Sequence, residues 1–433
     1  METVKENKNQ NRRQPRKKSA ADPKKRKSSF SDDFKKLGLN IHGVRLPKFE
    51  VQDEYLELID NPDKVNNTYD FLIALCQKGF KNLNLKRGSE EHKKYTDRIY
   101  YELDILKELG FVDYILLVWK VIHFCNTSDI PVGLGRGSAA GSFVLYLLGV
   151  TKIDSVKYDL FFERFVSKIR AKKKVVDGVT YLDGSLMCDI DMDVCYYKRK
   201  NVLKYLEEEF KGKTSKIRTL NTLSGKLVMK ECGKTVEDKS ETEMNHVSAM
   251  IPKVFGQVKD ISEAYEEVDD FRNWCDENPR TYQTAQKIKG LVKNKGVHPS
   301  AILLSYDNIV RSCPLELDSE KEKISSYNMD WSQMFNVKLD VLGLRTVSVV
   351  DQACKFIGIK VEDIDLDHES IYQNLFDLKQ PQGIFQVEAR ANYEVCRKVK
   401  PKNLEELSAV LALARPGALA FVDQYANYTN NDT

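Results

Sequence analysis

The chain has 433 residues, of which 42% are hydrophobic and 30% charged, so it is long enough for several domains and too apolar to be disordered throughout. No apolar run reaches the roughly 18 residues of a membrane span and the N-terminus lacks an apolar signal segment, which predicts a cytoplasmic protein with no membrane partner. The nine cysteines include no C-x-x-C pair and are predicted to be reduced thiols.

The net charge of +4 is unevenly distributed along the chain. Residues 1–30 carry eleven Lys or Arg and three Asp or Glu, which leaves a net charge of −4 on the remainder. Residues 1–44 are therefore predicted to be a basic disordered tail, either a DNA-touching arm, a localisation signal or a plain solvated segment. Any basic surface in the folded body must be local.

The first clear elements are two helices. Residues 88–109 place apolar side chains at helical spacing and end before Gly110, and a strongly apolar helix follows from Val112 to about Phe124. Residues 130–150 then predict a short strand, a glycine-rich loop and a buried helix.

Further along, periodicity predicts two strands separated by a long helical stretch. The strands are expected at 187–194 and 335–342, the stretch 200–300 is expected to be helical and polar, and residues 346–433 are expected to be mainly helical.

The glycine-rich loop runs from Gly133 to Ser142. It is not a dinucleotide fingerprint, because Ala140 stands where a third glycine would be needed, and no G-K-[ST] follows. Close backbone approach, a helix predicted to start near Ser138 and the guanidinium of Arg136 favour phosphate binding. A tight turn needed only for packing explains the glycines equally well.

Three carboxylates alternate along the predicted strand at 187–194. Asp189, Asp191 and Asp193 would share one face, while the residues between them face the core. Like charges in a row repel, so a divalent cation such as Mg²⁺ would stabilise the row. An edge strand with an acidic solvent face is the equal alternative.

The strand at 335–342 places Lys338 and Asp340 on its polar face. If it lies beside the first strand, Asp340 joins the carboxylate cluster and Lys338 lies where a triphosphate or primer end would be. A glycine-serine loop, a D-x-D strand and a third Asp form the general arrangement of a two-metal nucleotidyltransferase.

At this point the sequence resembles the C family of bacterial replicative DNA polymerases, the alpha subunits of DNA polymerase III. Six segments follow the order of that family's motifs: GRGSAAGS (135–142), FFERF (161–165), CDIDMDV (188–194), KLDVLGLRT (338–346), GIFQVE (383–388) and ARPGAL (414–419). Cys188, Val194 and Ala418 depart from the usual motif residues.

The resemblance implies an α+β fold with a polymerase-beta-like nucleotidyltransferase palm, an inserted helical thumb and partial helical fingers. The implied domains are the palm at 45–195, the thumb at 196–300, the second part of the palm at 301–345, and the truncated start of the fingers at 346–433.

The resemblance also implies the site residues. Asp189, Asp191 and Asp340 would be the catalytic acids and would bind two Mg²⁺ ions, with Asp193 as an accessory. The nucleotide or phosphate contacts would come from Arg136, Gly137, Ser138, Arg164, Lys338 and Arg415.

The implied activity is template-directed DNA synthesis from dNTPs on a primer–template. The family's phosphoesterase domain and a D-x-E-T exonuclease motif are not found, and the fingers have only begun at residue 433, so the sequence predicts one piece of a split or truncated bacteriophage polymerase. A second polypeptide would then carry the missing domains and any sliding-clamp contact. The alternatives are a template-independent nucleotidyltransferase and an inactive DNA-binding paralogue.

Overall fold

A computed structural model describes residues 42–431 except 170, 255–256, 378–380 and 416. The predicted basic tail, 1–44, lies almost entirely outside the described residues. The described chain has a mixed α+β architecture in which most helices pack around or extend from one central sheet.

The helices alternate with short connections and are numbered here in chain order. They are α1 (Asp53–Leu56), α2 (Thr68–Lys81), α3 (Glu90–Leu109), α4 (Val112–Thr127), α5 (Phe143–Leu147), α6 (Arg199–Glu209), α7 (Gly225–Val236), α8 (Glu241–Met250), α9 (Ile261–Glu267), α10 (Asp269–Glu277), α11 (Pro279–Ile288), α12 (Met329–Ser332), α13 (Arg345–Ile357), α14 (Glu369–Asp377), α15 (Arg390–Val399), α16 (Leu404–Leu413) and α17 (Val422–Asn431).

The strands form one large sheet and two small hairpins. They are β1 (Lys173–Val176), β2 (Val179–Leu182), β3 (Asp191–Cys195), β4 (Thr214–Thr222), β5 (Lys253–Val254), β6 (Gln257–Val258), β7 (Val292–Leu304), β8 (Leu315–Leu317), β9 (Lys323–Asn328) and β10 (Val337–Leu344). The large sheet has the order β3-β10-β7-β4-β9-β8, and β1-β2 and β5-β6 are separate pairs. β10 runs parallel to β3 and antiparallel to β7.

Local sequence explains the two early helices. The Ser89 hydroxyl accepts the N–H of His92 at the start of α3, and Gly110 takes the left-handed conformation, with φ 79°, at its end. α4 is apolar nearly all round because it lies inside the main core, and its buried Lys120 pairs with Glu209 of α6. Both predicted helices are confirmed, and α4 continues to Thr127.

The sheet is covered by apolar side chains on both faces. Along β7, Ile302 and Leu304 join the main core built by α2–α5, whereas Ala301 and Leu303 join a smaller cluster with Ile217 of β4. Val337, Leu339 and Val341 of β10 face the main core. The intervening residues of β10 therefore lie on the opposite face.

The prediction that residues 200–300 are helical was wrong for four strands, β4 to β7. β4 and most of β7 lie in this stretch and belong to the central sheet, where they pair over nearly their whole length. Only residues between them, α7 to α11, form the helical insertion, which has its own buried cluster around Phe271 and Met244. The exposed outer parts of β4 and β7 obscured the strands, because their polar sequence carries no core-facing periodicity.

The described residues after 345 form the five helices α13 to α17, as predicted. Their buried side chains form a further cluster that includes Val395, Val399 and Val410. All nine cysteines are buried and carry free thiols, in agreement with the sequence. Among the described helices, none is both long and apolar enough to cross a membrane.

Candidate active site

Two neighbouring parallel strands bring the acidic residues together. The register of β3 and β10 places Asp340 directly beside Asp191, on the sheet face that points away from the main core. Carboxylate oxygens of Asp189, Asp191 and Asp340 all lie within 4.8 Å of one another. Two strands that lie far apart in sequence thus contribute to a single cluster.

The strand begins later than the sequence predicted. β3 starts at Asp191, and Asp189 lies in the irregular segment just before it, where its side chain is about half buried, with 54% of its surface exposed. The expected alternation nevertheless holds, because Cys188, Ile190, Met192 and Val194 are all buried. Two of these, Cys188 and Val194, are departures from the family motif, and both fill packing positions.

Lys338 lies between two of the acids. Its Nζ is 2.9 Å from Oδ2 of Asp340 and 3.3 Å from Oδ2 of Asp189. Burial lowers the pKa of Lys338, but the hydrogen bond to Asp340 and the charges of both acids raise it by more than burial lowers it. The side chain therefore stays cationic. Burial raises the pKa of Asp189, an effect that Lys338 opposes and Asp340 reinforces.

Arg136 approaches the other end of the row. Its Nε lies 3.4 Å from Oδ2 of Asp191 and 3.5 Å from Oδ1 of Asp193. The Asp193 side chain is only 8% exposed, and burial raises its pKa to about 6, with the Arg136 charge acting in the opposite direction. Asp193 is therefore more buried than Asp189 and Asp191, and it shares Arg136 with Asp191.

The glycine-rich segment is held against β3 by backbone pairing. The N–H of Gly133 donates to the carbonyl of Asp193, and the N–H of Cys195 donates to the carbonyl of Pro131, both at 2.8 Å. A side chain at Gly133 would meet Cβ of Asp193 at 2.8 Å, and one at Gly137 would point toward Oδ2 of Asp191 at 3.7 Å. Glycine is thus required at 133 for close approach.

The helix predicted to begin near Ser138 does not do so. Residues Gly137–Gly141 form a 3-10 turn, and α5 begins only at Phe143. Its first N–H groups are not free for phosphate, because those of Phe143 and Val144 donate to the carboxylate of Glu102. Phosphate binding at Gly137 and Ser138 would therefore rely on the 3-10 turn and on side chains.

Glu102 and Arg98 form a buried network that the sequence analysis missed. The fully buried Glu102 carboxylate also accepts the Ser142 hydroxyl at 2.8 Å and Nε of Arg98 at 2.6 Å. Arg98 donates onward to the carbonyls of Gly141 and Leu160, at 2.7 and 2.8 Å. A charged pair four residues apart on a helix otherwise predicts a solvated face, and only the apolar neighbours of Glu102 hinted at burial.

The remaining predicted residues divide into two groups. Arg164, in the 3-10 turn Phe162–Arg164, lines a cavity of about 310 Å³ together with Ser138 and Asp189. Arg415 is exposed in the loop after α16, and within the described part of the chain no contact joins it to the acidic cluster. The structure therefore brings Arg136, Gly137, Ser138, Arg164 and Lys338 to the acids and leaves Arg415 apart.

The donor set fits a hard divalent cation. Every candidate ligand atom is a carboxylate oxygen, which Mg²⁺ and Ca²⁺ prefer. Within the described residues, the four carboxylates form ion pairs with Arg136 and Lys338, so this ion-paired group has a formal charge of −2 that a bound cation would neutralise. The buried Oδ1 of Asp193 and Nε of Arg136 also lack well-directed hydrogen bonds.

Two family models match this chain. The model described as the bacterial DNA polymerase III alpha NTPase domain matches residues 70–343, and the one described as the bacterial DNA polymerase III alpha subunit finger domain matches residues 346–433. The two matches together span the acidic cluster and the helices that follow it.

Curated relatives are similar to the chain along most of its length. The DNA polymerase III subunit alpha of Aquifex aeolicus is 30% identical over 415 residues, covering 88% of this chain and 33% of the relative. The protein of the same name from Staphylococcus aureus strain COL is 31% identical over 398 residues, covering 89% and 34%. The chain thus spans about one third of the length of these relatives.

Proposed function

Since the chain belongs to the bacterial DNA polymerase III alpha family, we propose that its acidic cluster carries out template-directed nucleotidyl transfer from a dNTP to a primer 3′-OH. The observation that carries this proposal is the convergence of Asp189, Asp191 and Asp340, whose carboxylate oxygens lie within 4.8 Å of one another. Lys338 and Arg136 border the same cluster.

The three acids would hold two Mg²⁺ ions. When bound, such ions lower the pKa of the attacking hydroxyl and neutralise charge on the triphosphate and the departing pyrophosphate. The protein's part is to fix the oxygen ligands: the parallel register of β3 and β10 sets Asp191 beside Asp340, and the segment before β3 adds Asp189.

The basic residues would bind the triphosphate. Carboxylates approach Arg136 at Nε, and its two terminal NH₂ groups would bind phosphate oxygens. Arg164 and Ser138 line one cavity with Asp189, so they would contact the same ligand. Lys338 would exchange its carboxylate contacts for phosphate. Arg415 would reach the nucleotide only after the helices beyond α13 move toward the cluster.

The domain roles follow the same proposal. The central sheet and α1–α6 would be the palm, the helical insertion α7–α11 the thumb, and α13–α17 part of the fingers. The finger-family match at 346–433 favours a template-directed enzyme over a template-independent transferase. Retention of the acids together with Lys338 does not favour an inactive paralogue.

We propose this activity for a polymerase that also contains the regions of the relatives that lie outside the third of their length matched by this chain. Those regions would be supplied either by the same polypeptide or by a second one, and a sliding-clamp contact would be made through them. Primer–template DNA and dNTPs are the proposed ligands.

The test is primer extension by the complete polymerase with Ala substituted singly at Asp189, Asp191 or Asp340. We expect each variant to lose on the order of 10³-fold or more in rate, because each removes a ligand that acts on the developing charge. Thermal stability should hold or rise slightly, since one of several clustered like charges is gone.

The matched control is Asp63→Ala, which removes an exposed carboxylate in the turn Pro62–Lys64. That variant should extend primers at the wild-type rate. Normal extension by any of the three cluster variants would contradict the two-metal assignment.

A further inference from the structure

A two-stranded ribbon lies between Arg164 and Asp189 along the chain, two residues of the proposed active site. β1 and β2 pair in antiparallel register from Lys173 opposite Leu182 to Val176 opposite Val179. They are joined by Asp177 and Gly178 with φ 52° and 76°, the tight turn that suits a two-residue hairpin. The ribbon follows Arg164 in the chain and precedes Asp189.

The base of the ribbon belongs to the rim of the active-site cavity. Ser167, Ala171 and Ser185 line that cavity together with Arg164 and Asp189. Leu182 is buried and exchanges two backbone hydrogen bonds of 2.8 Å with Val44, which ties the ribbon to the body. Four residues per strand carry the tip about 13 Å from this base.

The ribbon and the eight residues that lead into it have an unusual charge for this protein. Residues 165–182 contain five Lys or Arg and one Asp, a net charge of +4, whereas residues 31–433 as a whole carry −4. This segment is therefore a local basic surface in a part of the chain whose net charge is negative.

The lysines divide between the two faces of the ribbon. Lys173 donates to the carbonyl of Glu108, at the end of α3, and Lys168 pairs with the Glu108 carboxylate. The N–H of Asp183 donates to the carbonyl of Lys172 at 3.1 Å, so the ladder continues to residue 172. Lys172 and Lys174 therefore face away from Lys173.

The outward face has no acidic partner within the described residues. Lys172 and Lys174 are exposed and form no ion pair there, although carboxylates are abundant elsewhere in the body. A ribbon with no ligand would not need to hold Lys168 and Lys173 against Glu108 on one face while it leaves Lys172 and Lys174 unpaired on the other. Lys172 directly follows Ala171, which lines the cavity, and unpaired ammonium groups next to such a site suit the sequence-independent binding of DNA phosphates.

We propose that the β1–β2 ribbon binds the sugar-phosphate backbone of the DNA duplex held at the acidic cluster, through Lys172 and Lys174. This inference rests on the proposed function, because it takes the duplex to be the ligand of the neighbouring site. The ribbon adds affinity without reading sequence, since Lys contacts phosphates as a point charge.

The experiment measures binding of a fluorescent primer–template duplex to the complete polymerase by anisotropy, at several salt concentrations between about 50 and 300 mM. In the Lys172→Gln, Lys174→Gln double variant, we expect the slope of log affinity against log salt to become shallower by about 1.8, which is two phosphate contacts. Affinity near 100 mM salt should fall roughly tenfold or more.

The matched control is the Lys86→Gln, Lys93→Gln double variant. It removes the same charge from exposed positions near the opposite end of α3, where Lys93 lies about 22 Å along the helix from Glu108. This variant should keep the wild-type slope. The Lys172→Arg, Lys174→Arg variant keeps the charge and should also have the wild-type slope.

An unchanged slope in the Lys172→Gln, Lys174→Gln variant, or an equal change in the control, would overturn the proposal. The result is separate from catalysis, because the Asp189→Ala variant should still bind the duplex with the wild-type slope. Loss of extension without a change in binding would therefore concern the acidic cluster and not the ribbon.

Discussion

Asp193 differs from the two acids that precede it in the row. The side chains of Asp189 and Asp191 are 54% and 29% exposed, whereas that of Asp193 is 8% exposed and lies against Gly133. It does not belong to the group of three acids whose oxygens converge. Its charged neighbour is Nε of Arg136 at 3.5 Å, and we propose that it positions that guanidinium.

Asp193→Asn should therefore raise the KM for dNTP about 5–10-fold, the equivalent of one charge-assisted contact, and leave kcat within about threefold. The uncharged amide keeps the shape of the side chain but no longer holds Arg136 by charge. Steady-state kinetics of the complete polymerase would measure the two constants.

A double-mutant cycle with Arg136→Gln supplies the control. If Asp193 acts through Arg136, the Asn substitution should have almost no further effect once Arg136 is gone. A collapse of kcat at unchanged KM would instead place Asp193 among the metal ligands.

At the scale of elements, the Glu102–Arg98 network joins parts of the chain that lie far apart in sequence. Glu102 of α3 satisfies the first N–H groups of α5, and Arg98 of the same helix binds the carbonyls of Gly141 and Leu160. Burial raises the pKa of Glu102, against the lowering effect of these hydrogen bonds. One helix thereby fixes the distance between the 3-10 turns that carry Ser138 and Arg164.

Glu102→Gln should lower the free energy of unfolding by about 2–4 kcal/mol, because its NH₂ group would face a backbone N–H and Arg98 would lose its buried counter-charge. Chemical denaturation would measure this change. Glu91→Gln, an exposed position in the first turn of the same helix, is the control and should change stability by less than about 0.5 kcal/mol. Equal effects of the two substitutions would mean that the network does not stabilise the fold.

The same elements explain what could be predicted from the sequence. α3, α4 and β10 were predicted because a single apolar face or a continuous apolar surface decides their structure locally. The late start of β3 and the 3-10 turn before α5 could not be predicted, since Pro131–Gly133 pairs with β3 and Glu102 caps α5 from 41 residues away. The motif order identified the acids, but their mutual distance depends on a parallel strand pairing that no local pattern encodes.

At the scale of the whole molecule, the described residues form separate apolar clusters. The main core holds α2–α5 and one face of the sheet, whereas α7–α11 surround their own buried cluster. The insertion leaves and rejoins the sheet at one place, where Leu223 and Leu291 are joined by a 2.8 Å backbone hydrogen bond. A unit with its own core and adjacent ends can unfold while the sheet remains intact.

Phe271→Ala should therefore speed hydrogen exchange in residues 225–288 and leave the amides of β7 and β10 protected. Phe271 is fully buried in the insertion, and its truncation should cost that unit about 3–5 kcal/mol. Phe143→Ala, an equally buried position in the main core, is the control and should speed exchange in the sheet and in α2–α5. Matching exchange profiles for the two variants would show one cooperative unit.

The central place of β10 has a consequence for the order of events on the ribosome. This strand is the last of the sheet to be synthesised, yet it lies between β3 and β7. About 140 residues separate the end of β3 from the start of β10, which is roughly 7 to 28 seconds of translation. Throughout that interval the nascent chain carries Asp189 and Asp191 without Asp340, and β3 has an unpaired edge. Until β10 has been synthesised, a growing chain can therefore not assemble the three-carboxylate cluster, and the edge of β3 that β10 will pair with stays open to wrong pairing.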